Sequence, residues 1–191
     1  QPLEISGSFN IDHIQDIQHV AVLYRNGVPQ SDNYGGVHPE LFDSASYQVG
    51  SNGLVFAPQG GLRITARDLA KFMAMHANNG EYNQVDILSE STAMLMHQPV
   101  WTFDGTNGNN YYNLFNSWGL GLQLTVNKNF GDVVLPNVPM IGHAGEAYGL
   151  ISDMYLEKDK QFGIVFVTNG LYSGSYEYAN SSAFYLPEEQ V

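Results

Sequence analysis

The chain has no cysteine, which excludes disulfides and thiolate metal ligands and leaves the redox compartment unread. Charge is scarce too, at 14% of residues against about a quarter in ordinary domains. Bases are the scarcer sign: 7 Lys and Arg stand against 19 Asp and Glu, a formal net charge of -12. Phosphate backbones and anionic membrane surfaces would repel such a chain, so no nucleic-acid partner is expected. No apolar run approaches the roughly 18 residues of a membrane-spanning helix, so no membrane span is expected. No basic stretch leads into an apolar one at the start, so no signal peptide is read in this chain. A P-loop and a Gly-x-Ser-x-Gly elbow are both missing, and "GLGLQL" lacks the third glycine of a dinucleotide fingerprint. The six histidines, His13, His19, His38, His76, His97 and His143, show no ligand spacing, so neither a metal nor another cofactor is expected.

What remains is ample for one folded domain: 191 residues, 43% of them hydrophobic and 13% aromatic. Residues 18–24, "QHVAVLY", read as a short buried strand ending at the turn Arg25-Asn26-Gly27. From 28 to 52 the chain loses periodicity and reads as a long irregular excursion. The stretch "PQGGLRITARDLAKFMAMHANNG" (58–80) is a helix in outline. Thr65 caps it with Asp68 three residues on, Ala66, Leu69, Phe72 and Met73 fall at helical spacing, and Asn78-Asn79-Gly80 stops it. A second helix is predicted from Ser89 to His97, before Pro99, and a Gly/Asn/Tyr-rich loop over 101–116. Met73, Met75, Met94 and Met96 read as core filling, and His76 as a packed or solvent-edge side chain.

From Trp118 the apolar period changes to two. "WGLGLQLTV" (118–126), "GLISDMYLE" (149–157) and "FGIVFVTN" (162–169) read as strands, the last two joined hairpin-fashion through Lys158-Asp159-Lys160-Gln161. Helices followed by an antiparallel run of strands predict an α+β fold with the helices packed on the sheet.

Between the first and last of these strand segments lies "MIGHAGEAYGLIS" (140–152), a histidine between glycines. Taken alone, His143 fits an ordinary strand histidine in a glycine-rich turn. Taken in order with "PQGGLRITARDLAKF", "WGLGL" and "FVTNG", it resembles the serine β-lactamase and penicillin-binding-protein superfamily, in its class C-like branch of esterases, D-aminopeptidases and D,D-peptidases. The resemblance covers Gln59 to Gly170. "QPLEISGSF" is similar to that family's Pro-Leu-Gly-Met segment, with Glu4 in place of the glycine.

The resemblance implies a cleft built from three motifs: Ser-x-x-Lys at a helix start, Tyr-x-Asn or Ser-x-Asn on a loop, and Lys-Thr-Gly or His-x-Gly on a strand. The chemistry uses all three, because a serine hydroxyl needs a base to take its proton and the acyl oxyanion needs backbone donors. His143-Ala144-Gly145 matches the third motif. The resemblance then implies that His143 orients substrate, that Ala144 and Gly145 line the substrate's path, and that the Glu146 backbone N–H faces the oxyanion. The first motif is absent: Lys71, Lys128, Lys158 and Lys160 are preceded at three residues by Asp68, Thr125, Tyr155 and Glu157. Thr125 to Lys128 imitates it at a strand end, and Tyr111-Tyr112-Asn113 spells the second motif downstream of the helix rather than upstream.

The chain therefore reads as the C-terminal part of a β-lactamase-like hydrolase. It divides into a loop-rich lead-in (1–57), a helical segment (58–98), antiparallel strands (117–170) and a tail (171–191). The nucleophile is expected on a missing N-terminal half, and the chain alone is expected to be inactive. The whole protein would act on a small-molecule or peptide substrate in the periplasm or outside the cell. The alternative is a non-catalytic binding or regulatory module reusing part of the fold. If the sheet is split between polypeptides, dimerisation through a bared strand edge is expected.

Overall fold

In a computed structural model of the chain, which describes residues 2–31, 33–38, 60–111, 113–126, 132–147, 149–157, 159 and 162–172, the Asn26-Gly27 turn appears where the sequence places it. Both residues have positive φ, 53° and 76°, as a two-residue hairpin demands. They join β1 (Tyr24–Arg25) to β2 (Val28–Pro29). The strand predicted over 18–24 does not form. Asp16 accepts a hydrogen bond from the Gln18 N–H and winds Ile17–His19 into a 3-10 turn, a local alternative that diverts the backbone from extended pairing. Much of the segment stays exposed. Residues 39–52 of the irregular excursion lie outside the described residues.

Helix α1 (Ala66–Ala77) starts where the Thr65 hydroxyl accepts from the Asp68 N–H at 3.1 Å, a cap worth about 1 kcal/mol. It stops at Asn78, with Asn79 and Gly80 in left-handed conformation. A hairpin of β3 (Glu81–Tyr82) and β4 (Val85–Asp86) follows. Helix α2 (Glu90–Met96) is capped by Ser89. Its Ala93 is buried and Met96 packs on the core, whereas Met94 is 49% exposed. Met94 is thus not core filling, because it sits one position past Ala93, off the narrow inward stripe of a two-turn helix. Met75 is buried and Met73 packs against the core as expected. His76 is fully buried and its Nδ1 lies 3.1 Å from His97 Nε2, which makes it a packed residue.

The main sheet is antiparallel in the order β10-β9-β8-β7-β6-β5. Its members are β5 (Trp101–Thr102), β6 (Ser117–Trp118), β7 (Gln123–Leu124), β8 (Met140–Ala147), β9 (Leu150–Glu157) and β10 (Gly163–Thr168). The single strand predicted over 118–126 is instead the β6–β7 hairpin. Leu120, Leu122 and Leu124 alternate as strand residues do, but Gly121 takes φ 72° and reverses the chain between them. A last strand, β11 (Gly170–Leu171), pairs with β1 in parallel.

Alternation along β8 and β9 gives the sheet two apolar faces. One presents Ile141, Met154 and Leu156 to Leu69, Phe72 and Met73 of α1. The other presents Met140 and Tyr155 to Leu114, Val134, Leu135 and Val138. The result is α+β, with the helices on the sheet. Among the described residues no helix is long and apolar enough to cross a membrane.

Candidate active site

Strand β8 passes from a buried half to an open one. Met140 receives the Thr125 N–H on its carbonyl and donates its own N–H to Thr125 Oγ1, both at 2.8 Å. Its backbone groups therefore face β7. In an antiparallel strand this direction repeats every second residue, so the N–H and C=O of Gly142, Ala144 and Glu146 face the same edge, and those of His143, Gly145 and Ala147 face β9. Pairing with β7 ends at Gln123 opposite Gly142. Among the described residues no strand lies opposite Ala144 and Glu146 on that edge.

The end of β7 is fixed by a buried polar chain. The Tyr155 hydroxyl donates to Gln123 Oε1 at 2.6 Å, and Gln123 Nε2 donates to the Leu114 carbonyl at 2.5 Å. Tyr155 and Gln123 are both fully buried. Tyr155 reaches Gln123 by lying across Gly142, where any Cβ would run into the Met154 carbonyl and the Tyr155 ring.

The four residues singled out from sequence occupy the open half together. His143 is exposed, its ring set edge-on to Trp118 at 5.1 Å. Its Nδ1 rests on the Ala144 carbonyl at 2.5 Å. A carbonyl only accepts, so Nδ1 carries the proton there. Nε2 is then an acceptor in the neutral ring and a donor only in the imidazolium. Ala144 adds its methyl to the apolar face of Met140 and Tyr155, while Gly145 pairs with Ser152 and leaves room for its hydroxyl. Glu146 turns its backbone N–H to the edge, and its carboxylate Oε1 meets Arg25 Nη2 of β1 at 3.3 Å.

Thr125 has its hydroxyl and N–H both engaged by Met140 and is buried, so it serves the sheet and not a reaction; Lys128 lies outside the described residues. Tyr111 and Asn113 lie in the loop before β6, and Tyr112 lies outside the described residues. No cluster of three or more metal-ligating side chains occurs among the described residues.

Sequence reasoning missed two features here. The Arg25–Glu146 pair spans 121 positions and has no local signature. The second is a staple at the start of α1: Lys71 Nζ lies 2.7 Å from Asp68 Oδ1 and donates to the Glu4 carbonyl at 2.6 Å, and the Ser6 N–H donates to Asp68 Oδ2 at 3.2 Å. The Lys71 hydrogen bond, then the Ser6 N–H, hold the Asp68 carboxyl below its usual range. Thr65 and Asp68 were legible as a cap, but their tie to the Glu4–Ser6 segment was not.

The sequence model of the family described as Beta-lactamase matches residues 7–185. No curated protein matches the chain. Among solved structures, one described as "Crystal structure of SurE" superposes with a TM-score of 0.46 at 24% identity, covering 61% of this chain and 24% of that one. The matched part spans about a quarter of that protein's length.

Proposed function

The chain belongs to the beta-lactamase family, and from that premise we propose that it forms the His-x-Gly wall of a serine-hydrolase cleft. The observation that carries this reading is the edge of β8 beyond Gly142, where among the described residues no strand pairs with the Ala144 and Glu146 backbone groups and His143 is exposed. A carbonyl substrate laid along that edge would meet the Glu146 N–H, whose strand environment fixes its direction before any reaction, as an oxyanion donor requires. His143 orients the substrate: its Nδ1–H is committed to the Ala144 carbonyl, so Nε2 accepts from a substrate N–H or, when protonated, donates to a substrate oxygen. Gly145 and the Ala144 methyl keep the path free of bulk.

None of these 191 residues completes a Ser-x-x-Lys, so the acylated serine and its lysine are assigned to polypeptide outside them, with this chain as the C-terminal portion of the catalytic domain. The reaction is acyl transfer from an ester, amide or β-lactam to that serine, followed by hydrolysis. Purified 191-residue protein is expected to leave nitrocefin and p-nitrophenyl acetate unchanged. In a longer polypeptide that supplies serine and lysine, His143→Ala should lower kcat/KM about 10- to 100-fold, the scale of a lost orienting contact. Turnover by the 191 residues alone, lost in His143→Ala, would overturn the assignment of the nucleophile. The same missing motif favours a second reading, a non-catalytic binding module, which an inert longer polypeptide that still binds acyl amides would support.

A further inference from the structure

Beside the open half of β8 the rings form a row. Tyr111 meets Phe115 at 5.6 Å, Phe115 meets Trp118 at 5.3 Å, and Trp118 meets His143 at 5.1 Å. Phe115 and Trp118 are half-buried, while Tyr111 at the outer end is 58% exposed. Trp118 belongs to β6, whereas the loop carrying Tyr111 and Phe115 is held by amide side chains and not by regular structure. Asn110 Nδ2 donates to Asn113 Oδ1 and to the buried Asn116 Oδ1, at 3.0 and 3.1 Å, and the Phe115 N–H closes onto the Asn110 carbonyl at 3.0 Å. This network holds Tyr111 at φ 48°, left-handed backbone that a bulky side chain adopts at an energetic cost. A large ring kept 58% exposed on strained backbone gains little from burial, and such strain collects at binding sites.

We propose that Tyr111, Phe115 and Trp118 form an aromatic wall selecting neutral substrates that carry a planar or apolar group next to the reacting carbonyl, such as aryl or arylalkyl esters and amides. The proposal rests on the reading of the β8 edge as the substrate's backbone track, because Trp118 touches the ring that covers the Ala144 carbonyl on that edge. Tilted and edge-to-face packing at these separations extends naturally to one more ring. Neutrality follows from charge: the guanidinium joined to β8, Arg25, is engaged by Glu146, and a chain of formal charge -12 repels anions.

The test uses two achiral amides, N-methylphenylacetamide and N-methylpropionamide, titrated into the isotopically labelled 191-residue protein by NMR. Both offer one amide to the β8 edge, and only the first carries a ring. The ring compound is expected to bind at least ten-fold tighter, shifting the Trp118 indole together with the Ala144 and Glu146 amides. Tyr111→Gly should cut that preference several-fold while raising the melting temperature, an opposite pair of effects that a purely structural role would not give. Equal affinities with shifted edge amides would overturn the aromatic wall and leave the edge reading standing. Ring preference with unmoved Ala144 and Glu146 amides would overturn the edge reading and leave the wall. Failure of both compounds to bind up to their solubility limits would overturn the proposal.

Discussion

The two halves of β8 share one backbone geometry and have opposite fates. Met140 to Gly142 lie between β7 and β9 and are buried, whereas among the described residues His143 to Ala147 pair with β9 alone and are partly or fully exposed. No property of the strand itself changes between residues 142 and 143. What changes is the neighbour, because β7 ends where Tyr155 and the Leu114 carbonyl hold Gln123. A site can be made by stopping a strand: the Ala144 and Glu146 N–H groups, which would have built sheet, are left oriented with no strand opposite them among the described residues.

One added methyl group in each half of β8 should have the largest and most unequal effects. Gly142→Ala drives a Cβ into the Met154 carbonyl and the Tyr155 ring and should cost about 3 kcal/mol, the upper range for overpacking. Gly145→Ala meets the Ser152 hydroxyl at 2.7 Å, which can rotate away, and the Ser152 carbonyl at an ordinary van der Waals distance of 3.5 Å, so about 1 kcal/mol or less is expected. Urea denaturation of the two variants gives the contrast, and equal costs would erase the distinction between the halves.

A smaller effect probes the stop itself. Tyr155→Phe deprives the fully buried Gln123 Oε1 of its donor and should cost about 1 to 2 kcal/mol. Amide exchange at Gln123 and Leu124 should speed up with it. Unchanged stability would mean that this polar chain does not fix the end of β7.

The mildest test lies at α1, away from both halves. The Asp68 carboxyl is depressed from its ordinary value of 3.8 by Lys71 first and by the Ser6 N–H second. A depressed acid contributes stability that is fully present above its unfolded value and drains as pH falls through the folded one. Acidification below about pH 4 should therefore loosen the Glu4–Ser6 segment from α1, and Asp68→Asn should flatten that dependence. Thermal melts from pH 7 to pH 3 read it, and an unaltered slope in Asp68→Asn would remove Asp68 as its source.

What the sequence made legible was what short spacing encodes. Thr65 with Asp68, the apolar positions of α1 and its Asn78-Asn79-Gly80 end lie within one helix, and β9 and β10 carry unbroken alternation. The family landmarks brought His143, Ala144, Gly145 and Glu146 forward, four consecutive residues that lie in the second half of β8. The errors arose where a local pattern had a distant rival or a hidden reversal. Residues 18–24 are apolar enough for a strand, yet Asp16 offers their backbone a nearer hydrogen bond. The leucines after Trp118 alternate, yet Gly121 turns the chain between them. Openness of the β8 edge was not legible at all, because it depends on contacts among Gln123, Leu114 and Tyr155, the last 32 positions from Gln123, and not on β8.

Residue-resolved hydrogen exchange along β8 reads the state of this edge amide by amide. Slow exchange is expected at Gly142, His143, Gly145 and Ala147, and fast exchange at Ala144 and Glu146, whose N–H groups face away from β9. Ala144 and Glu146 amides as protected as their neighbours would mean that the edge is covered, and the cleft assigned to it would not exist.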